Sequence, residues 1–166
     1  MRQEDFEQLL VISSDPAVTR TNDYLPAEAG TLSLWLEETI ASEARSPRTS
    51  HHSAIRLKNS DEIIGWIGLQ LTNAPQQGRI DFGYALAPKF WNRGYMTEAV
   101  HAMLTYSFDT LAARIVTAFH LIDNAASGRV MLKAGMRLYD ELMADRTDTE
   151  IHYMVTAEEW AANTKR

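Results

Sequence analysis

Nine consecutive residues, Trp91-Asn92-Arg93-Gly94-Tyr95-Met96-Thr97-Glu98-Ala99, carry the clearest chemistry in this chain. An apolar strand-like run, Ile80 to Ala87, precedes them, and a helix-like run, Val100 to Phe108, follows. The first backbone N–H groups of a helix have no intrahelical partner, and the helix dipole there favours negative charge. Gly94 lacks a Cβ, so a phosphate oxygen could approach its backbone closely. Asn92 tolerates left-handed backbone better than most residues. The spacing therefore predicts a strand, a tight turn and a helix start that bind an anion through Arg93, Gly94, Tyr95, Met96 and Thr97, with the Arg93 guanidinium adding a cation. The pattern is neither G-x-x-x-x-G-K-[ST] nor G-x-G-x-x-G, which disfavours a simple nucleotide binder.

The elements that must hold this turn can be read from periodicity. Phe6, Leu9 and Leu10 give a helix over 4–13, and Leu32, Trp35, Leu36 and Ile40 another over about 27–44. Ser46 to Ser53 reads as a polar loop containing His51 and His52. Ala54 to Lys58, Ile63 to Leu71 and Ile80 to Ala87 read as strands, with turns at Asn59–Asp61 and Asn73–Gly78. The motif's helix carries Met96, Val100, Met103, Leu104 and Ser107 on one face. Arg114 to Leu121 is a strand, and Asn124 to Ala134 a helix capped by Asp123 or Asn124 and stopped at Gly135. Met136 to Met143 and Glu150 to Val155 close as strands, and Ala157 to Ala162 forms a short helix. The order is α-α-β-β-β-α-β-α-β-β, a mixed α/β domain with hairpins.

The motif resembles motif A of the GNAT acyl-CoA N-acyltransferases, and is most similar to the branch of ribosomal-protein N-terminal alanine acetyltransferases. A second segment, Asn124-Ala125-Ala126-Ser127 through Lys133-Ala134-Gly135-Met136, resembles that family's Asn-x-x-Ser…Lys-x-Gly-Phe, with Met136 for Phe. The resemblance implies the GNAT fold over residues 1–166, a twisted mixed sheet flanked by helices, whose central strands, here 80–87 and 114–121, splay apart. It implies acetyl-CoA as co-substrate, its pyrophosphate on Arg93–Thr97 and its pantetheine arm on backbone groups of Leu86 and Ala87. Asn124 would bond that arm, and Lys133 would meet phosphate. Relatives usually begin with a strand, whereas here a helical pattern starts almost at Met1.

The implied reaction is direct acyl transfer to a primary amine, which must lose a proton, while the departing thiolate gains one. Asp81 stands where many relatives carry Glu and is the first candidate for the base. Ser127 is the candidate proton donor. His120 is a further possible base or substrate contact, and Tyr139 and Tyr153 are possible proton donors or core. Glu98 reads as a structural first-turn carboxylate, and Trp35 and Trp66 as core or pocket lining. The branch points to protein N-terminal α-amines. Small amines such as polyamines, aminoglycosides or amino acids, and a non-catalytic acyl-CoA-binding module, are the alternatives.

Bulk properties agree. The chain has 166 residues, 45% of them apolar, no cysteine and a formal charge of −6. One domain is expected, as monomer or homodimer, without nucleic acid, metal or membrane partners, and cytoplasmic.

Overall fold

The computed structural model describes residues 1–21, 25–71, 78–139 and 149–164. Six strands form one mixed sheet in the order β1-β2-β3-β4-β6-β5. These are β1 (Ser50–Arg56), β2 (Ile63–Leu71), β3 (Arg79–Leu86), β4 (Ile115–Leu121), β5 (Arg137–Leu138) and β6 (Glu150–Thr156). Helices α1 (Phe6–Ser13), α2 (Pro16–Thr19), α3 (Ala29–Ser42), α4 (Tyr95–Asp109), α5 (Ala125–Lys133) and α6 (Ala157–Thr164) complete the chain. The residues divide into two compact units, Met1–Gln70 with Gly83–Tyr95, and Leu71–Phe82 with Met96–Arg166.

In the first unit, β1 and β2 are antiparallel, with His52 opposite Gly68 and Ala54 opposite Trp66. Leu9, Leu32, Leu36, Ile64, Trp66 and Leu69 are almost fully buried. At helical spacing on α1 and α3 and in a continuous run on β2, they supply the apolar surface whose removal from water favours this unit. Asp5 is 1% exposed, and its carboxylate pairs with Arg56 while accepting the Arg2 N–H at 2.9 Å. A buried charge persists when its oxygens are satisfied in this way. Gln8 ties α1 to the sheet by accepting the Ile63 N–H at 2.8 Å.

In the second unit, the start of β3 runs parallel to β4, pairing Arg79, Ile80 and Asp81 with Ile115, Val116 and Thr117. β4 pairs antiparallel with β6 along its whole length, from Ile115–Thr156 to Leu121–Glu150. Met96, Val100, Leu104 and Ser107 form the buried stripe of α4, at the spacing expected of one helix face. Thr156 and Glu159 cap α6 reciprocally, through the Thr156 N–H to Glu159 at 2.9 Å and the Glu159 N–H to Thr156 Oγ1 at 3.2 Å.

Three sequence expectations need correction. Ser50 to Ser53 belongs to β1, because polar side chains suit an edge strand as well as a loop. Residues 16–19 form the extra helix α2, with Asp15 accepting the Ala17 N–H and Pro16 in the first turn. The expected strand 136–143 is paired at Arg137 and Leu138, and residues 140–143 lie outside the described ones, as does most of the expected 73–78 turn. Among the described residues no strand precedes α1.

Candidate active site

The turn at residues 92–94 has the backbone its sequence calls for. Asn92 and Gly94 both take left-handed conformations, with φ of 59° and 85°. A Cβ added at Gly94 would meet nothing within 4 Å. Protein packing therefore does not demand glycine here. The positive φ does, and the space above it is open to a ligand oxygen. Arg93 rests over the Phe90 ring at 5.9 Å, and Phe90 meets Tyr95 edge-on at 6.0 Å. The turn thus offers backbone N–H groups, a guanidinium and an open approach, which together fit a pyrophosphate. Met96 is buried and Thr97 half-buried.

Leu86 and Ala87 present a more constrained edge than expected. The Trp91 indole N–H donates to the Leu86 carbonyl at 2.6 Å, and the Ala87 N–H donates to Ile64 at 2.8 Å. An incoming amide would share the Leu86 carbonyl with the indole or displace it. In the sequence Trp91 is a motif position, and its spacing of five residues from Leu86 is the signal for this contact.

In the second unit, Asn124 caps α5. Its side-chain oxygen accepts the Ser127 N–H at 3.3 Å, and its amide donates to the Ser127 hydroxyl at 3.1 Å. The cap and pantetheine roles are compatible, since capping leaves further hydrogen-bonding capacity on the amide. Lys133 is exposed at the far end of α5, roughly 12 Å along the axis from its first residue. It therefore lies well apart from Asn124 on this helix.

Asp81 is not isolated. Its Oδ1 accepts from Arg79 Nη2 at 3.0 Å and Nε at 3.1 Å, and from the Thr117 hydroxyl. Strand alternation places Thr117 and Phe119 on one sheet face, and Ala118 and His120 on the other. α5 packs on the His120 face, because Gly128 lies against His120 and Tyr153. The structure thus brings Asn124 and Ser127 together and sets Asp81 on the opposite face.

That second face holds a pair whose partnership sequence reasoning missed. His120 and Tyr153 are 6% and 5% exposed, and their rings stack at 5.5 Å. His120 Nδ1 lies 2.7 Å from the Leu121 carbonyl, and Nε2 lies 3.3 Å from the Tyr153 hydroxyl. Burial raises the Tyr153 pKa, which keeps the phenol protonated.

Among the described residues no cluster of three His, Asp or Glu side chains suited to a metal occurs. His52 instead packs with Trp35 at 5.2 Å and Trp66 at 6.0 Å. Burial, then Arg48, lowers its pKa to about 4.

Comparison with known proteins agrees with the motif. A family model described as an acetyltransferase (GNAT) domain matches residues 1–137. The chain is 27% identical over 134 residues to the uncharacterized N-acetyltransferase YoaA of Bacillus subtilis, covering 81% of this chain and 75% of that protein. It is 32% identical over 113 residues to the FsC-acetyl coenzyme A-N(2)-transacetylase of Aspergillus fumigatus, covering 60% of this chain but 48% of that protein. Its fold matches a spermidine N-acetyltransferase variant from Vibrio cholerae with a TM-score of 0.76 at 11% identity, over 99% of this chain and 96% of that one. It matches a candidate ribosomal-protein-serine acetyltransferase from the same organism with a TM-score of 0.76 at 12% identity, over 94% and 90%. A domain match over most of the chain, together with the Gly94 turn and the capped Asn124 helix, defines an acyl-CoA-dependent transferase. The chain belongs to the GNAT superfamily, and it is an acetyl-CoA-dependent N-acetyltransferase.

Proposed function

We propose that this chain acts as one cytoplasmic catalytic domain, transferring the acetyl group of acetyl-CoA to a primary amine, with a protein N-terminal α-amine as the leading acceptor. The observation that carries the cofactor assignment is the open, left-handed Gly94 beside Arg93. In this reading Arg93, Gly94, Tyr95, Met96 and Thr97 receive the pyrophosphate, Leu86, Ala87 and Asn124 the pantetheine arm, and Lys133 an outlying phosphate. Acetyl-CoA supplies the activated acyl group, and the chain orients it, takes a proton from the amine and returns one to the thiolate. The Asn124 amide points the Ser127 hydroxyl, which suits Ser127 to the second proton transfer. The acidic balance of −6 suits a cationic acceptor. Asp81, the sequence's candidate base, is held in place by Arg79, which suits it to positioning the acceptor.

The acceptor class rests on the motif's likeness to the ribosomal-protein branch. Structural likeness to a spermidine N-acetyltransferase favours a small polyamine as the second reading. Free-thiol release from acetyl-CoA across N-terminal peptides, polyamines and amino acids decides between them. The cofactor site has its own test. Gly94→Val forces a β-branched residue into positive φ and fills the open approach. CoA affinity by calorimetry should fall at least tenfold in a folded Gly94→Val protein, and unchanged affinity removes the site from this turn.

A further inference from the structure

The buried pair on the α5 face has geometry that fixes the direction of a proton. A carbonyl can only accept, so the His120 Nδ1 that faces the Leu121 oxygen at 2.7 Å carries the hydrogen. In the neutral ring Nε2 is then an acceptor, and the Tyr153 hydroxyl donates to it. The pair is packed tightly. A Cβ at Gly128 would fall 2.6 Å from the Tyr153 hydroxyl and 2.7 Å from His120 Nε2. Gly128 adjoins Ser127 in the first turns of α5, so both polar atoms sit at the helix end that carries Asn124 and Ser127.

We propose that Tyr153 and His120 form the relay that removes the proton from the acceptor amine; this rests on the acetyl-transfer reading above. An N–H bond of the acceptor ammonium breaks as its proton passes to the Tyr153 oxygen, directly or through one water. The original Tyr153 proton moves to His120 Nε2. The ammonium becomes a neutral amine with a lone pair for attack on the thioester carbonyl. His120 becomes an imidazolium whose Nδ1–H stays on the Leu121 carbonyl, and it releases its extra proton to solvent between turnovers. The raised Tyr153 pKa is consistent with this direction, since tyrosine enters as the phenol and gains a proton as it gives one.

The surrounding charges leave the pair distinct from Asp81. On β6, Glu150 and His152 alternate to the opposite face, where His152 meets Phe119 at 5.5 Å. Arg79, Asp81 and Thr117 occupy that same opposite face. On the segment that packs against the pair, Asp123 and the α5 cations Arg129 and Lys133 are exposed to water.

The test uses the full chain with His120→Gln, Tyr153→Phe and Asp81→Asn. His120→Gln should lower kcat/KM for the amine roughly 10²–10³-fold at neutral pH, the range for loss of a general base. The deficit should shrink as pH rises and free amine becomes abundant. Tyr153→Phe should behave alike, with CoA affinity by calorimetry unchanged in both. Asp81→Asn should raise the amine KM about threefold to tenfold and leave the pH profile unaltered. A wild-type pH profile in His120→Gln, or a deficit recovered at high pH by Asp81→Asn alone, overturns the relay. A readout independent of turnover is ¹⁵N NMR of the His120 ring. It should show the Nδ1–H tautomer, with an Nε2 resonance that shifts in Tyr153→Phe as the hydroxyl partner is lost. An Nε2–H tautomer, or an Nε2 resonance indifferent to Tyr153, overturns the relay whether or not any amine is acetylated. Failure of the acetyl-transfer reading looks different, as a wild-type protein that neither binds CoA nor releases thiol.

Discussion

The two units solve one packing problem twice and reach opposite chemistry. In the first, the His52 ring lies over Gly68, its antiparallel partner. A Cβ there would collide with His52 Nδ1 and come within 2.7 Å of Trp66 Cζ3. In the second, the His120 ring lies against Gly128. Both imidazoles occupy the place of a missing side chain. His52 is wrapped by Trp35 and Trp66, and among the described residues its Nδ1 finds no hydrogen-bond partner. His120 has a partner on each nitrogen. An unpartnered ring nitrogen in an apolar setting leaves an added charge unstabilised, whereas a carbonyl and a hydroxyl on the two nitrogens give a proton a route between them. Burial alone therefore does not decide what a histidine does; the polar atoms around its two nitrogens do.

Altering the two glycines and the proton supply separates the roles. Gly128→Ala should act most strongly on activity. The added methyl group must push apart Tyr153 and His120, and turnover should fall on the order of 100-fold, as when a relay component is lost. Steady-state kinetics beside CoA calorimetry measures this; a normal rate would mean that the pair tolerates displacement and that Gly128 does not set it.

His52 should register in stability. Its folded pKa of about 4 lies below the ordinary 6.5, so the unfolded chain binds a proton more readily than the folded one. Its contribution is complete above pH 6.5 and is lost as pH falls from there towards 4, on the order of 3 kcal/mol in all. Urea unfolding at stepped pH should show a decline that begins near neutrality, before most carboxylates titrate. His52→Gln should flatten that part of the curve. An equal decline in the variant would assign the acid sensitivity elsewhere.

Gly68→Ala should have the smallest effect, a loss of about 1–3 kcal/mol typical of overpacking, as His52 shifts off the strand. Turnover should stay close to wild type, because this cluster handles no proton in the reaction. A loss of rate larger than the loss of folded protein would link the first aromatic cluster to the acceptor.

What the sequence made legible follows the range of each signal. The backbone of the Gly94 turn, the Asn124 cap and most of the α4 stripe are local patterns, set within a few residues; Met103 alone of that stripe is only half-buried. α2 was also local, signalled by Asp15-Pro16, but a one-turn helix leaves no periodicity to count. Ser50–Ser53 was misjudged because polar residues on an edge strand carry the composition of a loop. The His120–Tyr153 pair could not be read at all. It depends on the β4–β6 register, which a shift of one residue would reverse by sending the two rings to opposite faces. Asp81 with Arg79 was legible in principle, since residues two apart on a strand share a face.

The Trp91 contact gives this chain a built-in optical probe. Of its four tryptophans, Trp66 and Trp160 are buried at 1% and 6% exposure, while Trp91 is 41% exposed and held by one hydrogen bond to Leu86. Indole emission responds to its polar surroundings. Any molecule that claims the Leu86 carbonyl must release or share the Trp91 N–H, and would change the emission of the most solvent-sensitive fluorophore described. Occupancy of that strand edge can therefore be followed in solution by light alone, without label or turnover, with Trp91→Phe as the silent control.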